Sequence, residues 1–100
     1  MITTRPPQYE RLVILQEECA EVIQAISKIH RHGLEGRYDN GEDNKTALER
    51  ELGDVWAILT LMVKKQDVDI YRVDAFRKAK VAKLTDPNNP HVYFQKESYT

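Results

Sequence analysis

Two stretches combine residue types and spacing that could do chemistry: Glu17-Glu18-Cys19-Ala20-Glu21 and, thirty residues on, Glu51-Leu52-Gly53-Asp54. On a helix, residues three apart share a face about 60° wide, so Glu18 pairs with Glu21 and Glu51 with Asp54. Two such pairs facing each other would form a cage of four carboxylates. Carboxylates crowded together repel and raise one another's pKa, so a cluster of four either stands apart in solvent or is bridged by cations. Oxygen donors without thiolate or imidazole favour Mg²⁺, with Mn²⁺ as the alternative. The expectation is a metal site between two helices.

The elements that must hold those acids can be read from the apolar periodicity. Leu12, Leu15, Cys19, Val22, Ile26 and Ile29 recur at spacings of three and four, and Val13, Ala20, Ile23 and Ala25 widen the stripe. A stripe this broad predicts a first helix packed on more than one side, with Cys19 as core. Pro6-Pro7 suits its first turn, and Gly33 its left-handed cap after Lys28, His30, Arg31 and His32. From Leu34 to Asn44 no period holds, which predicts a mobile loop of the kind that often serves as a lid. A second helix can start at Asn44, or at Thr46 with Glu49 completing a capping box, and runs through Leu48, Leu52, Val55, Trp56, Ile58, Leu59 and Met62. Gly53 interrupts it at about 1 kcal/mol relative to Ala and would let a backbone or ligand come close. Asp69 can cap a third helix, basic at Arg72, Arg77, Lys78, Lys80 and Lys83, which Asp86-Pro87 stops. The predicted fold is all-α: an antiparallel bundle of three main helices plus a short C-terminal tail, completed by a second subunit. Residues 1–100 form one domain, with the core over about 8–84 and the tail over 85–100.

The chain has 100 residues, 41% of them hydrophobic and 31% charged, which fits a soluble helical protein and argues against disorder. A net charge of −1 offers no field for nucleic acid or acidic membrane. No apolar run is long enough to span a bilayer, and the N-terminus lacks the apolar stretch of a signal peptide, so a cytoplasmic location is the default expectation. The single Cys19 excludes an internal disulfide.

Glu-Glu-x-x-Glu alone is common on acidic surface helices, and Glu-x-x-Asp is no more specific. The pair gains meaning because a helix end and a loop separate the halves, so the two helices can run antiparallel. Glu21, Gln24, Lys28 and Arg31 also climb one face, with Lys28 about 10 Å and Arg31 about 15 Å along the axis from Glu21. That span suits a phosphate chain whose other end is metal-bound; the alternative is that Lys28 and Arg31 complement the helix dipole. A ferritin-like di-iron site would need Glu-x-x-His, and no histidine follows a proposed ligand by three. Zinc is disfavoured because His30 and His32 diverge on a helix and Cys19 is isolated. No Walker loop, Gly-x-Ser-x-Gly elbow or Rossmann fingerprint is present, so phosphate chemistry would rest on metal and basic side chains.

Glu17-Glu18-x-x-Glu21 followed by Glu51-x-x-Asp54 resembles the defining motif of the all-α nucleoside triphosphate pyrophosphohydrolases, the MazG-like group, with a gap at the upper end of the usual range. Ser27-Lys28, Arg31-x-Gly33-Leu34, Asn44 and the Lys78, Lys80, Lys83 series extend the likeness, to short viral-type members, over roughly residues 12–83. The resemblance implies that Glu18, Glu21, Glu51 and Asp54 hold Mg²⁺ and that Glu17 binds a further ion or orients water. It implies hydrolysis of a nucleoside triphosphate between the α and β phosphates, giving monophosphate and pyrophosphate, by a homodimer or homotetramer. Lys28, Arg31 and Lys80, then Asn44 and Lys83, are the candidates for substrate phosphates. Trp56 and Tyr38 are conceivable for the base, although Trp56, two residues after Asp54, points away from the metal face and suits core or interface. The rivals are a phosphoribosyl-ATP pyrophosphohydrolase and a non-catalytic helical dimerisation module.

Overall fold

The computed structural model describes residues 6–37 and 41–88. These are all α: α1 spans Pro7–His32, α2 Asn44–Lys64 and α3 Ile70–Thr85, with no strand among the described residues. The chain divides into two compact units, one reaching Asp67 and holding α1 and α2, the other starting at Val68 and holding α3.

α1 starts as its prolines suggest, with Pro6 as the cap and Pro7 in the first turn, where a missing N–H costs little. It stops at Gly33, whose φ of 80° only glycine adopts without strain, and whose N–H donates to the Ile29 carbonyl at 2.7 Å. Of the two predicted starts for α2, the chain uses Asn44. Asp43 is the cap, its carboxylate accepting the Thr46 N–H at 2.7 Å, so Thr46 lies inside the first turn and heads no capping box. α2 ends in a Schellman turn: Gln66 has φ 63°, its N–H donates to Val63 at 3.0 Å, and the Asp67 N–H donates to Met62 at 2.8 Å.

Ties at both ends fix the direction and register of α1 against α2. Past the end of α1, the Asn44 Nδ2 donates to the Gly33 carbonyl at 2.9 Å, while the Asn44 and Lys45 N–H groups donate to Gly36 at 2.7 Å and Leu34 at 3.0 Å. At the other end, Arg11 grips Asp67 with both Nε and Nη2, the latter at 2.8 Å. The start of α1 thus meets the residue beyond α2, and the end of α1 meets the start of α2, so the helices run antiparallel. Within the segment expected to be a mobile loop, Arg37 and Asp43 form a bridge and the Arg37 guanidinium donates to the Gly41 carbonyl at 2.8 Å. Gly36 is required there because a Cβ would come within 2.7 Å of the His32 carbonyl and 2.8 Å of the Asn44 amide. Tyr38 and Asn40 lie outside the described residues.

The core of this unit is thin: Ala25, Ala47, Ile58 and Met62, with Asn44 as its buried polar residue. Small residues at 25 and 47 allow the helix axes to approach closely. The broad stripe of α1 is only partly covered. Leu12, Ile23 and Ile26 are exposed, as are Leu52, Trp56 and Leu61 of α2. Cys19, expected in the core, is exposed as well. One helix–helix seam covers a single face of each helix, which leaves the flanks of a wide stripe bare.

In the second unit Asp69 caps α3 as its sequence suggests, accepting from the Tyr71 N–H at 2.8 Å and the Arg72 N–H at 3.4 Å. Asp86, extended ahead of Pro87, closes the helix. No residue of α3 is buried, and Asp74 pairs with both Arg77 and Lys78 one turn on. The expected tail beyond Asn88 lies outside the described residues. No described helix is long and apolar enough to cross a membrane.

Candidate metal centre

Between its two end ties the α1–α2 pair brings together Glu18, Glu51 and Asp54. One carboxylate oxygen from each lies within 4.8 Å of the others. Glu18 and Glu51 are half-buried and Asp54 is exposed, so the group forms a shallow acidic patch on the helix pair. Glu51 and Asp54 share a face because they are three apart on α2, and the antiparallel register delivers Glu18 opposite them.

Burial raises the pKa of Glu18, and the charges of Asp54, Glu51, Glu21 and Glu17 raise it further. Oxygens on opposite sides of a Mg²⁺ ion with 2.1 Å bonds lie about 4.2 Å apart. Neighbouring oxygens on the same ion lie about 3.0 Å apart, so three donors within 4.8 Å of one another would have to draw together to share it. An all-oxygen set with one solvent-exposed member fits a hard divalent cation that keeps several waters.

The other sequence-selected residues fall into distinct places. Glu21, expected as a fourth ligand, stands outside the close trio and acts on Glu18 through its charge; Glu17 is exposed and does the same. Lys28 is half-buried and Arg31 exposed on the same unbroken helix as Glu18, so the ladder of acids leading into bases is kept. Asn44, a candidate for substrate phosphates, is 2% exposed and bonded to Gly33, because its amide is taken up in joining α1 to α2. Lys80 and Lys83 belong to α3 in the second unit. Gly53 leaves open space where a Cβ would go, so no backbone presses on it, and Trp56 is 74% exposed.

Sequence reasoning passed over one neighbour of the patch. Arg50 sits with Nη2 3.7 Å from Glu51 and 3.0 Å from Glu42. Its signal was its place in the chain, directly before Glu51 and four residues before Asp54. The cap at Asp43 and the Arg11–Asp67 tie were also missed. The cap was legible in the run Asp43-Asn44-Lys45-Thr46; the tie, between residues 56 apart in sequence, was not.

No curated protein and no solved structure gives a significant match to the chain. The family model for the MazG nucleotide pyrophosphohydrolase domain matches residues 9–92, a stretch that includes all three converging acids and runs through both units. With most of its length covered by that match and an all-helical fold to go with it, the chain belongs to the MazG nucleotide pyrophosphohydrolase family.

Proposed function

We propose that the chain is a Mg²⁺-dependent hydrolase of nucleoside triphosphates that cleaves between the α and β phosphates, releasing a nucleoside monophosphate and pyrophosphate. The observation that carries this reading is the convergence of Glu18, Glu51 and Asp54 from two helices held in register at both ends, in a member of this family. A triphosphate brings about four negative charges to these acids, so an encounter without divalent cations is unfavourable. Glu18, Glu51 and Asp54 would hold Mg²⁺, with Glu21 joining them by a change of rotamer. When bound, the ion supplies charge neutralisation at the phosphoryl oxygens and acidifies a water for in-line attack.

This chain's own part is positional. In this reading the acids set where charge is neutralised, Glu17 orients water, and Lys28 and Arg31 of α1 bind the phosphates, with Lys80 and Lys83 of α3 as further candidates. Exposed Leu12, Ile23, Trp56 and Leu61 support a homo-oligomer in which a second copy covers the open flanks of the helix pair.

The test is pyrophosphate release from the eight common NTPs and dNTPs and from phosphoribosyl-ATP, with Mg²⁺ and with chelator. Glu51→Gln and Asp54→Asn are each expected to lower Mg²⁺-dependent release at least about a hundredfold, as loss of a charge-stabilising group does, with helicity unchanged. Unimpaired variants would remove these residues from the site. A wild-type protein that releases no pyrophosphate and gains no thermal stability from Mg²⁺ plus nucleotide would favour a non-catalytic dimerisation module.

A further inference from the structure

Arg50 lies against the acidic patch and against a loop residue at the same time. Its Nη1 donates to both oxygens of Glu42 at 3.1 Å, while its Nη2 is 3.0 Å from Glu42 and 3.7 Å from Glu51. The arginine side chain is 46% exposed, whereas those of Glu42 and Glu51 are 21% and 15% exposed, so Arg50 is the most exposed of the three side chains. At four residues before Asp54 it also sits one turn back along the ridge that carries Asp54. A cation in contact with the trio is thus tethered at its edge, facing solvent.

A surface ion pair of this kind contributes little to stability, and a guanidinium beside Glu51 opposes the arrival of a divalent cation. That opposition is offset if the same guanidinium then meets an anion that arrives with the metal. Arginine is suited to this because its planar fork matches phosphate oxygens two at a time. We propose that Arg50 is a ligand for the substrate's phosphate chain, held at the edge of the metal patch by Glu42 until a polyphosphate takes Glu42's place. The proposal rests on the triphosphate reading of the site. It makes Glu42 a positioning residue: its carboxylate offers Arg50 the geometry that a phosphate would offer and holds the cation at the edge of the trio.

The arrangement predicts opposite effects on two ligands, which a purely structural ion pair would not give. Calorimetry on the full chain would use Mn²⁺ alone, then tripolyphosphate in saturating Mg²⁺, a probe that carries the phosphate chain without a base. Arg50→Ala is expected to bind Mn²⁺ about threefold to tenfold more tightly, because a cation beside the site is gone. The same variant is expected to bind tripolyphosphate about tenfold more weakly, because a charged donor is lost. Arg50→Lys keeps the charge but not the fork, so it should hold Mn²⁺ as wild type does and tripolyphosphate at an intermediate strength. Glu42→Gln should weaken Mn²⁺ binding and leave tripolyphosphate binding undiminished. Wild-type binding of both probes, with either no change or same-direction changes in Arg50→Ala, would overturn the role of Arg50 alone. If wild type takes up neither probe, the triphosphate reading falls and the proposal with it.

Discussion

Asn44→Ala tests whether the Asn44 amide serves the α1–α2 junction or the substrate. The substitution removes an amide that is 2% exposed and that donates to Gly33 at 2.9 Å. Loss of a hydrogen bond of this type costs about 1 kcal/mol net. Gly33 is itself exposed, so its carbonyl can turn to water, and the penalty for an orphaned acceptor stays at the low end. The space left by the amide adds about another 1 kcal/mol, the cost of a void of this size in a packed site. The sum of about 2 kcal/mol corresponds to a fall in Tm of roughly 8–16 °C for a domain this small. Thermal unfolding followed by circular dichroism, at one fixed protein concentration to keep any association constant, gives the shift. KM for the best triphosphate, measured well below the transition, should stay within about twofold, because an inward-turned amide has nothing to offer a phosphate. A Tm within about 2 °C of wild type together with a raised KM would refute this reasoning and return Asn44 to the substrate.

Acid conditions should act oppositely with and without metal. A carboxyl whose folded pKa is raised, as that of Glu18 is by burial and then by its acidic neighbours, takes up its proton more readily in the folded state; its share of apo stability therefore rises as pH falls through that pKa. The same proton competes with Mg²⁺, so Mg²⁺ affinity should begin to fall at a pH above the ordinary glutamate range, and Tm against pH in Mg²⁺ and in chelator should converge there. Curves that stay parallel through the acid range would contradict the assignment of Glu18. Asp67 has the opposite sign: its bond to Arg11 holds its pKa below the usual aspartate range, so its stabilisation is present above the unfolded pKa and is lost as pH falls through the folded one. Asp67→Asn should lower Tm at neutral pH and flatten the acid limb, and an unchanged pH profile would show that the tie carries no stability.

Local signals were the most legible part of the chain. The prolines before α1, Gly33 after it and Asp69 before α3 each act through one or two neighbouring backbone groups, and all three appear where their chemistry puts them. Spacing of three and four also gave the faces that carry Glu18 and the Glu51–Asp54 pair. Burial was less legible. Leu12, Ile23 and Cys19 repeat with helical period, yet a period gives only the angular position of a side chain, not whether a partner lies opposite. Asn44 was ambiguous in the sequence for a related reason. A polar residue ahead of a helix can face a ligand or the chain itself, and only the approach of Gly33 and Gly36 decides between them. Glu21 shows the limit for the site: helical spacing places it beside Glu18 in angle, but convergence with α2 depends on axial register, which the ties at Asn44 and Arg11 set.

Mechanically, α1 and α2 are two beams pinned at both ends, with their mutually repelling acids in the span between. From Glu18 the pin at Arg11 is about 10 Å away along the axis and the one at Gly33 about 22 Å. Beams held this way can bow apart at mid-length but cannot slide past each other, so charge repulsion goes into a small gap and not into a loss of alignment. A cation arriving there has only to draw the bow shut.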